Sequence, residues 1–346
     1  MIRIGIICPS EIAFRRFLPS LQQAENFQYV GVAFATPVEW FGEQLAYVKQ
    51  DVIECVQTSE KEKAQKFVDT YGGEIFDGYA TLISSDEIDA VYLPLPPALH
   101  FKWAELALLN HKHVFVEKPS TTCLIDTRRL VELAKERNLA LHEDYMFVYH
   151  NQVEAINTIV RSGEIGDVRL YRITFGFPRR DAHDFRYNKA LGGGALLDAG
   201  GYTMKYATTL LGMSAKLVTA NANYLPDFEV DMYGSATMVN DLGIVAQLAF
   251  GMDNDYKCEL EVWGSKGTLT SNRVLTAPAG FTPTCTIKKN QEYDTRNLPT
   301  DDAFLKSILR FGQCISNDVV RTENYEQIEF QEKLVECFKE KSKMPL

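Results

Sequence analysis

The sequence predicts an α/β protein in which a doubly wound parallel sheet precedes a second α+β domain with a large, mostly antiparallel sheet. Three observations carry this prediction. Short apolar segments alternate with helical patterns up to residue 143, longer strand-like segments follow after about residue 150, and the chain of 346 residues is 46% apolar. Such a chain is long enough for two domains and apolar enough to bury two ordinary cores.

The first domain is predicted from strands that alternate with helices. Apolar residues from Ile12 to Leu21 recur at helical spacing between the first two strands. The predicted strands are 2–7, 28–35, 74–76, 90–95, 113–118 and 139–143, and the later helices are 59–71, 80–86, 98–110 and 123–137. This alternation favours a parallel sheet covered by helices on both faces.

The second domain is predicted from long strands joined by short turns such as 240–243. These strands are 167–178, 215–224, 231–240, 243–251 and 256–263. Successive strands with short connections indicate an antiparallel sheet. We therefore expect a first domain at 1–121, with an insertion at 37–58, and a second at 122–346, whose C-terminal helix packs back on the first.

Composition excludes several classes of function. The net charge is −10 and no run of Lys or Arg forms a basic patch, which argues against nucleic acid as a partner. No apolar run approaches the roughly 18 residues of a membrane span, and the chain opens on a strand rather than a signal peptide, so a cytoplasmic location is expected. The seven cysteines are scattered without a C-x-x-C pair, so neither a metal site nor a disulfide framework is predicted.

The segment VYLPLPPALHFKWAELALLNHKHVFVEKPST, residues 91–121, carries the strongest chemical signal. Its second strand ends in Glu117, Lys118 and Pro119, at the carboxyl edge where open α/β sheets bind ligands. A surface salt bridge that caps the strand is the alternative interpretation. A cis bond before Pro119 would aim Lys118 into a cleft.

A second signal lies in FRYNKALGGGALLDAGGYTMKYATTLLG, residues 185–212. Three consecutive glycines before a helix allow close backbone approach. Helical spacing from Asp198 places Tyr202 at i+4 and Lys205 at i+7, on roughly one face. The alternative is a plain loop with Asp198 as a helix cap and Tyr202 as an ordinary half-buried aromatic residue.

The opening turn, IGIICPSEIAF at residues 4–14, departs from the dinucleotide pattern. Cys8 and Ser10 stand at positions that usually hold glycine, and the second strand ends in Phe34 and Ala35 without an acidic residue. The residues of this turn, taken alone, leave dinucleotide binding open. The helix that begins near Glu11 and Ile12 still offers N–H groups for phosphates.

Four motifs together resemble the glucose-fructose oxidoreductase, inositol dehydrogenase and rhizopine-catabolism family, known as the Gfo/Idh/MocA family. They are the PLPPALH turn, the strand ending in EKP, the stretch HEDYMFVYHNQ at 142–152 and the GGGALLDAGGY helix start. The resemblance implies a Rossmann domain, a C-terminal domain with an open-faced sheet, and NAD- or NADP-dependent oxidation or reduction of sugars, cyclitols or sugar nucleotides. The segment 261–284 and LGGGALLDAGGY look most like the branch that reduces keto groups on nucleotide-linked sugars.

The resemblance also implies roles for single residues. Lys118 matches the lysine between nicotinamide and substrate, Tyr202 matches the acid/base position, and Asp198 precedes it by one helical turn. Tyr149, Arg186 and Lys205 are the expected substrate contacts, and Lys205 stands where an aspartate is common, which favours an anionic substrate. The expected cofactor contacts are Pro9, Ser10, Glu11, Ile12, Phe34, Leu95, Pro96, His100, Glu117 and Lys118.

Two other functions remain compatible with the sequence. One is a non-catalytic binding or regulatory protein on a degenerate Rossmann scaffold, and the other is a glycosidase or lyase that recycles a bound nicotinamide. The resemblance further implies a homo-oligomer, for which the strands at 231–263 provide a sheet face.

Overall fold

The computed structural model describes residues 1–342 and contains two sheets with the predicted architecture. The first sheet has six parallel strands in the order β3-β2-β1-β4-β5-β6. Its strands are β1 (Ile2–Ile7), β2 (Phe27–Phe34), β3 (Glu74–Asp77), β4 (Ala90–Leu93), β5 (His113–Glu117) and β6 (Leu141–Asp144). The reversal of strand order beside β1 confirms the predicted doubly wound fold.

Helices connect these parallel strands. A π-helical turn at Ala13–Phe17 continues into α1 (Leu18–Leu21) between β1 and β2. The remaining connections are α2 (Pro37–Phe41), a 3-10 turn at Gly42–Tyr47, α3 (Gln50–Tyr71), α4 (Tyr79–Ser84), α5 (Pro97–Leu109) and α6 (Leu124–Arg137). The predicted insertion at 37–58 is thus partly regular: its last nine residues form the start of α3, the connection from β2 to β3.

The second sheet has eight strands in the order β14-β13-β12-β11-β7-β10-β9-β8. They are β7 (Val168–Gly176), β8 (Lys216–Tyr224), β9 (Asp231–Val239), β10 (Val245–Gly251), β11 (Lys257–Gly264), β12 (Thr268–Asn272), β13 (Thr284–Lys289) and β14 (Glu292–Asn297). Only β7 and β10 pair in parallel among these strands, so the predicted antiparallel character is confirmed.

Four further α-helices come after β6 in the chain. They are α7 (Asn151–Arg161), α8 (Gly201–Leu211), α9 (Ala303–Ser316) and α10 (Asp318–Ser342), and a π-helical turn at Leu196–Gly200 leads directly into α8. None of the helices described over residues 1–342 combines the length and the apolar character needed to cross a membrane.

The chain divides into two compact units whose segments interleave. The first contains Met1–Thr121, Ile125–Asp144 and Ile308–Ile328, and the second contains Thr122–Leu124, Tyr145–Ser307 and the described residues from Glu329 onward. Residues 125–144 fall in the first unit rather than beyond a boundary at 121, because β6 pairs with β5 and completes the parallel sheet.

Part of the C-terminal helical region belongs to the first unit. Tyr325 and Ile328 join the buried cluster that packs against the parallel sheet. Asn324 donates a hydrogen bond to the Leu141 carbonyl at 2.5 Å, and the Tyr325 hydroxyl donates to the Leu139 carbonyl. These contacts tie α10 to the chain around β6.

The second sheet has strands that alternate between buried and exposed residues. In β9 and β11 the buried apolar side chains belong to the large cluster that also contains Tyr202. The exposed residues include Tyr233 and Trp263, which are 41% and 51% exposed. The homo-oligomer expected from this region stays a prediction.

Gly31 offers a direct test of strand packing in the first unit. It pairs with Glu74, and a Cβ at Gly31 would lie 2.2 Å from the Glu74 carbonyl oxygen. We therefore expect Gly31→Ala to lower the free energy of unfolding by about 1–3 kcal/mol or more, since backbone cannot move aside as a side chain can. Urea unfolding followed by circular dichroism measures this loss.

Gly5→Ala is the matched control for this substitution. The three atoms nearest to a Cβ at Gly5 would all belong to side chains, with Leu82 Cδ2 at 2.8 Å and Ile88 Cδ1 at 3.1 Å. These methyl groups can rotate away, so the loss should be smaller. Equal losses in the two variants would contradict the packing argument.

Candidate active site

The predicted cofactor residues of the first unit lie where three parallel strands end. The turn from Cys8 to Ser10 follows β1, Leu95 and Pro96 follow β4, and Glu117 is the last residue of β5. Parallel strands present their carboxyl ends at one edge of the sheet, which is the edge where ligands bind in open α/β folds. The structure therefore places these sequence-predicted residues along a single sheet edge.

His100 is buried between two of these turns. Its Nδ1 lies 2.8 Å from the Pro119 carbonyl oxygen and its Nε2 lies 2.7 Å from the Leu95 carbonyl oxygen. Burial lowers the pKa of His100 to about 4, so the ring is neutral at pH 7 and donates to one of the two carbonyls. The His100 side chain has no exposed surface and holds the two turns together. Its predicted contact with the cofactor stays a prediction.

Glu117 and Lys118 lie at the end of β5, directly before the Pro119 carbonyl that His100 contacts. Both are half-buried, and the peptide bond between Lys118 and Pro119 is cis. The Tyr92 hydroxyl donates a hydrogen bond to Glu117 Oε1 at 2.6 Å. The Tyr92 ring in turn stacks on Phe17, with the ring centroids 3.8 Å apart. A rigid aromatic pair therefore orients the carboxylate beside Lys118.

The opening turn keeps the backbone conformation that a glycine would provide. Cys8 has a φ of 84°, in the left-handed region that costs most residues other than glycine about 1–2 kcal/mol. Its N–H donates to the Ala33 carbonyl at 3.0 Å. Its side chain packs against the buried cluster of the first unit, where the thiol lies beside the Tyr79 hydroxyl, and burial raises the pKa of this thiol to about 11. The core thus accommodates the side chain that glycine lacks.

The helix after this turn has the polarity that a pyrophosphate requires. Ser10 Oγ accepts a hydrogen bond from the Ala13 N–H at 3.3 Å and caps the helix, while Pro9 is buried. Glu11 and Ile12 are exposed in its first turn, where backbone N–H groups have no earlier helical carbonyl to bond. Turn and helix together fit a dinucleotide, with these N–H groups as phosphate donors.

In the second unit, two of the three glycines before the π-helical turn allow close contacts within the protein. A Cβ at Gly193 would lie 2.4 Å from the Arg186 carbonyl oxygen, and a Cβ at Gly194 would lie 2.4 Å from Asp231 Oδ1. Asp231 Oδ2 also accepts a hydrogen bond from the Leu196 N–H at 2.7 Å. The glycine run lets Asp231 anchor the beginning of the helical segment that carries Asp198.

Asp198 and Arg186, both predicted site residues, form an ion pair. Arg186 Nε donates to Asp198 Oδ2 at 2.5 Å, and Nη1 donates to Asp184 Oδ1 at 3.1 Å. Burial lowers the pKa of Arg186, but the two carboxylates outweigh this effect and raise it. The guanidinium is therefore held between two carboxylates, an arrangement that spacing along the chain does not reveal.

Tyr202 lies in an aromatic pocket of the second unit. Its ring packs edge-on against Tyr145 and Phe175, with centroid distances of 5.3 and 5.4 Å, and its hydroxyl lies 3.9 Å from the Met146 sulfur. The side chain is largely buried, with 8% of its surface exposed. Packing on several sides fixes the direction of the hydroxyl.

The helical spacing predicted from Asp198 to Tyr202 and Lys205 is interrupted. Leu196–Gly200 is a π-helical turn, so the i+4 relation of a regular α-helix does not hold across it. Tyr145 nevertheless links Tyr202 with Lys205, whose Nζ lies 5.7 Å from the centroid of the Tyr145 ring. The structure thus gives Tyr202 and Lys205 a common aromatic neighbour.

Sequence reasoning missed two residues that support this region. Tyr145 lies within the quoted stretch HEDYMFVYHNQ but was not assigned a role, and its hydroxyl fills the space that a Cβ at Gly201 would occupy, at 2.3 Å. Asp231 is the first residue of β9 and belongs to none of the motifs recognised in the sequence.

Tyr149, a predicted substrate contact, is half-buried in the second unit. Residues 1–342 include no group of three or more His, Cys, Asp or Glu side chains placed to hold a metal ion.

Comparison with known families covers most of the chain. Residues 2–145 match an oxidoreductase family with an NAD-binding Rossmann fold, and residues 153–270 match the GFO/IDH/MocA C-terminal domain. Similar curated proteins include dTDP-3,4-didehydro-2,6-dideoxy-alpha-D-glucose 3-reductases. The protein from Actinomadura kijaniata is 35% identical over 91% of this chain and 87% of its own length. The protein from Streptomyces violaceoruber is 36% identical over 93% and 89%.

Solved structures agree with these matches. A 3-ketoreductase from Actinomadura kijaniata in complex with NADP and TDP-benzene has a TM-score of 0.87 and 34% identity, and the match covers 98% of this chain and 97% of that one. An aldose-aldose oxidoreductase from Caulobacter crescentus shares the fold, with a TM-score of 0.80 at 20% identity over 99% and 97% of the two chains.

The Asp231 carboxylate makes stability in the second unit depend on pH. Burial raises the pKa of Asp231 to about 6, against about 3.9 for an ordinary aspartate. Between these values the folded protein binds more protons than the unfolded one, so this contribution to stability is present below pH 4 and is lost as the pH rises through 6. We expect Asp231→Asn, which stays neutral and keeps an oxygen for the Leu196 N–H, to remove this loss.

The measurement is the unfolding free energy of native protein and Asp231→Asn between pH 4 and pH 7. The variant should gain about 2–3 kcal/mol relative to the native chain over this range. All other titrating groups are shared by the two proteins and cancel in the difference. Parallel pH profiles would contradict the assignment.

Proposed function

Since the chain belongs to the Gfo/Idh/MocA family of NAD(P)-dependent oxidoreductases, we propose that it transfers hydride at a secondary alcohol or ketone of a nucleotide-linked sugar. In the reducing direction the substrate is a keto sugar joined to a nucleoside diphosphate. The names of the curated relatives support this substrate class, because they are reductases of a dTDP-linked didehydro sugar.

The spacing of one lysine and one tyrosine carries the proposal. The solved 3-ketoreductase from Actinomadura kijaniata was crystallised as a lysine-to-alanine variant and as a tyrosine-to-phenylalanine variant, and the two substituted positions are 84 residues apart. Lys118 and Tyr202 are also 84 residues apart in this chain. Lys118 follows a strand end, and Tyr202 is fixed by aromatic contacts, as positioned catalytic groups require.

Lys118 and Tyr202 divide the chemistry between them. NADH or NADPH supplies the hydride when it is bound. The Lys118 ammonium stabilises the negative charge that develops on the carbonyl oxygen, and the Tyr202 hydroxyl delivers a proton to the same oxygen. In the oxidising direction Tyr202 accepts the proton of the substrate hydroxyl.

Neighbouring residues support these roles. Asp198, paired with Arg186, holds the helical segment that leads into Tyr202. Lys205 supplies a positive charge beside the Tyr145 ring and is the candidate contact for the diphosphate of the substrate, with Tyr149 as a further sugar contact. His100 joins the turn that contains Lys118 to the turn after β4 by its contacts with the Pro119 and Leu95 carbonyl groups.

Substitution of Tyr202 tests the proton transfer. We expect Tyr202→Phe to lower kcat by about 10²-fold or more, since a positioned general acid contributes 10²–10⁴-fold. Consumption of NADH and NADPH with a dTDP-linked 3-keto sugar measures the rate, and fluorescence titration shows that the cofactor still binds. Lys118→Ala should lower kcat at least as much.

Tyr206→Phe is the matched control for this experiment. Tyr206 lies one turn further along α8, is buried, and its hydroxyl has no hydrogen-bond partner within the described structure. The same chemical change at this position should leave kcat within about twofold. Full activity in Lys118→Ala, or equal losses in the two tyrosine variants, would overturn the assigned roles. Failure to bind either cofactor would instead favour the non-catalytic scaffold.

A further inference from the structure

The carboxylate of Glu39 is fixed beside the carboxyl end of β2. Its Oε2 accepts hydrogen bonds from the Thr36 N–H at 2.8 Å and from the Tyr79 N–H at 3.0 Å, and its Oε1 accepts one from the Ala80 N–H at 2.9 Å. Thr36 Oγ1 accepts from the Glu39 N–H in return, at 3.3 Å. Glu39 therefore closes a capping box on α2 and also bonds the first turn of α4.

The chain that follows the second strand is where dinucleotide-binding folds discriminate between NAD and NADP. In dinucleotide folds the chain after the second strand contacts the 2′ position of the adenosine ribose, through an acidic residue for NAD or a basic residue for NADP. Phe34 and Ala35, at the end of β2, are only 5% and 1% exposed and offer no polar side chain. The first charged side chain after β2 is Glu39.

The surrounding charges disfavour a 2′-phosphate. The sequence from Phe17 to Val48, which contains β2, α2 and the 3-10 turn, has no Lys or Arg, whereas Glu39 follows β2 by five residues. The backbone N–H groups of Thr36, Tyr79 and Ala80 already bond the Glu39 carboxylate, so they are not available to phosphate oxygens. A phosphate here would meet the negative charge of Glu39, and the chain from Phe17 to Val48 supplies no cation to offset it.

A hydroxyl group, in contrast, finds an acceptor. A carboxylate offers about four lone-pair sites. Three N–H groups occupy three of them, two on Oε2 and one on Oε1, which leaves one site on Oε1. A ribose 2′-hydroxyl can donate to that oxygen, and the three N–H bonds hold the carboxylate in place without further loss of side-chain entropy.

We propose that Glu39 selects NAD(H) over NADP(H) by accepting a hydrogen bond from the ribose 2′-hydroxyl and by repelling a 2′-phosphate. This inference rests on the proposed function only in requiring that the first unit binds a dinucleotide. It separates this chain from the solved 3-ketoreductase of Actinomadura kijaniata, whose structures contain NADP. The end of β2 has no acidic residue, and in this proposal Glu39 of α2 takes its place.

The test is fluorescence titration of the purified full-length chain with NADH and with NADPH. We expect NADPH to bind at least tenfold more weakly than NADH. Competition with adenosine fragments measures the same preference on the native protein: ADP should displace NADH at lower concentration than 2′,5′-ADP does. These two measurements need no variant, so they remain decisive if a substitution at Glu39 prevents folding.

Glu39→Gln tests the residue itself. The amide removes the charge and keeps one oxygen that can accept N–H groups, so the ratio of NADPH to NADH dissociation constants should fall about tenfold or more. Glu43→Gln is the matched control, because it removes the same charge from the exposed 3-10 turn that follows α2 and should leave the ratio unchanged.

The outcomes distinguish this inference from the proposed function. Equal affinity of the native chain for NADH and NADPH, or a preference for NADPH, would overturn the role of Glu39 while leaving the oxidoreductase assignment intact. An equal change of the ratio in Glu39→Gln and Glu43→Gln would also overturn it. Absence of binding to both cofactors would overturn the proposed function and, with it, the cofactor selection.

Discussion

The burial of the central strands of the parallel sheet is the constraint on which the candidate site of the first unit depends. All four residues of β4 are buried, as are the last four of β1 and the middle of β5. Polar groups cannot be placed within these strands without a large desolvation cost. The charged side chains Glu117 and Lys118 therefore stand at or just after the last residue of the strand. A contact from Tyr92 holds Glu117, and His100 bonds the turns that follow β4 and β5.

These contacts fix the positions of the turns at the carboxyl ends of the strands. The Tyr92 hydroxyl orients Glu117, and the buried imidazole of His100 spans two turns through the carbonyl oxygens of Leu95 and Pro119. The first turn meets the same requirement differently, since Cys8 adopts a conformation usual for glycine and places its side chain against the core. Backbone shape is thus preserved where the sequence departs from the dinucleotide pattern.

The second unit positions its candidate residues through close backbone contacts and buried charge. Gly193 and Gly194 leave no room for a Cβ beside Arg186 and Asp231, so the loop and the π-helical turn after it are held against the sheet. The ion pair of Arg186 with Asp198 lies in this same region. Because α8 continues directly from the π-helical turn, the placement of Tyr202 depends on contacts made several residues before it.

The sequence by itself determined the parts that depend on local pattern. Alternating hydrophobic periods predicted both sheets, and the motifs around Lys118 and Tyr202 indicated the family, because period and turn composition depend on a few neighbouring residues. Strand β14 escaped prediction, since it has mostly exposed residues and no apolar alternation, and the short polar strands β12 and β13 escaped with it. Only the tertiary structure revealed the hydrogen bonds of Asp231 and Glu39, whose partners Leu196 and Tyr79 lie 35 and 40 residues away. Such bonds depend on which segments the fold brings together, and no local spacing encodes that.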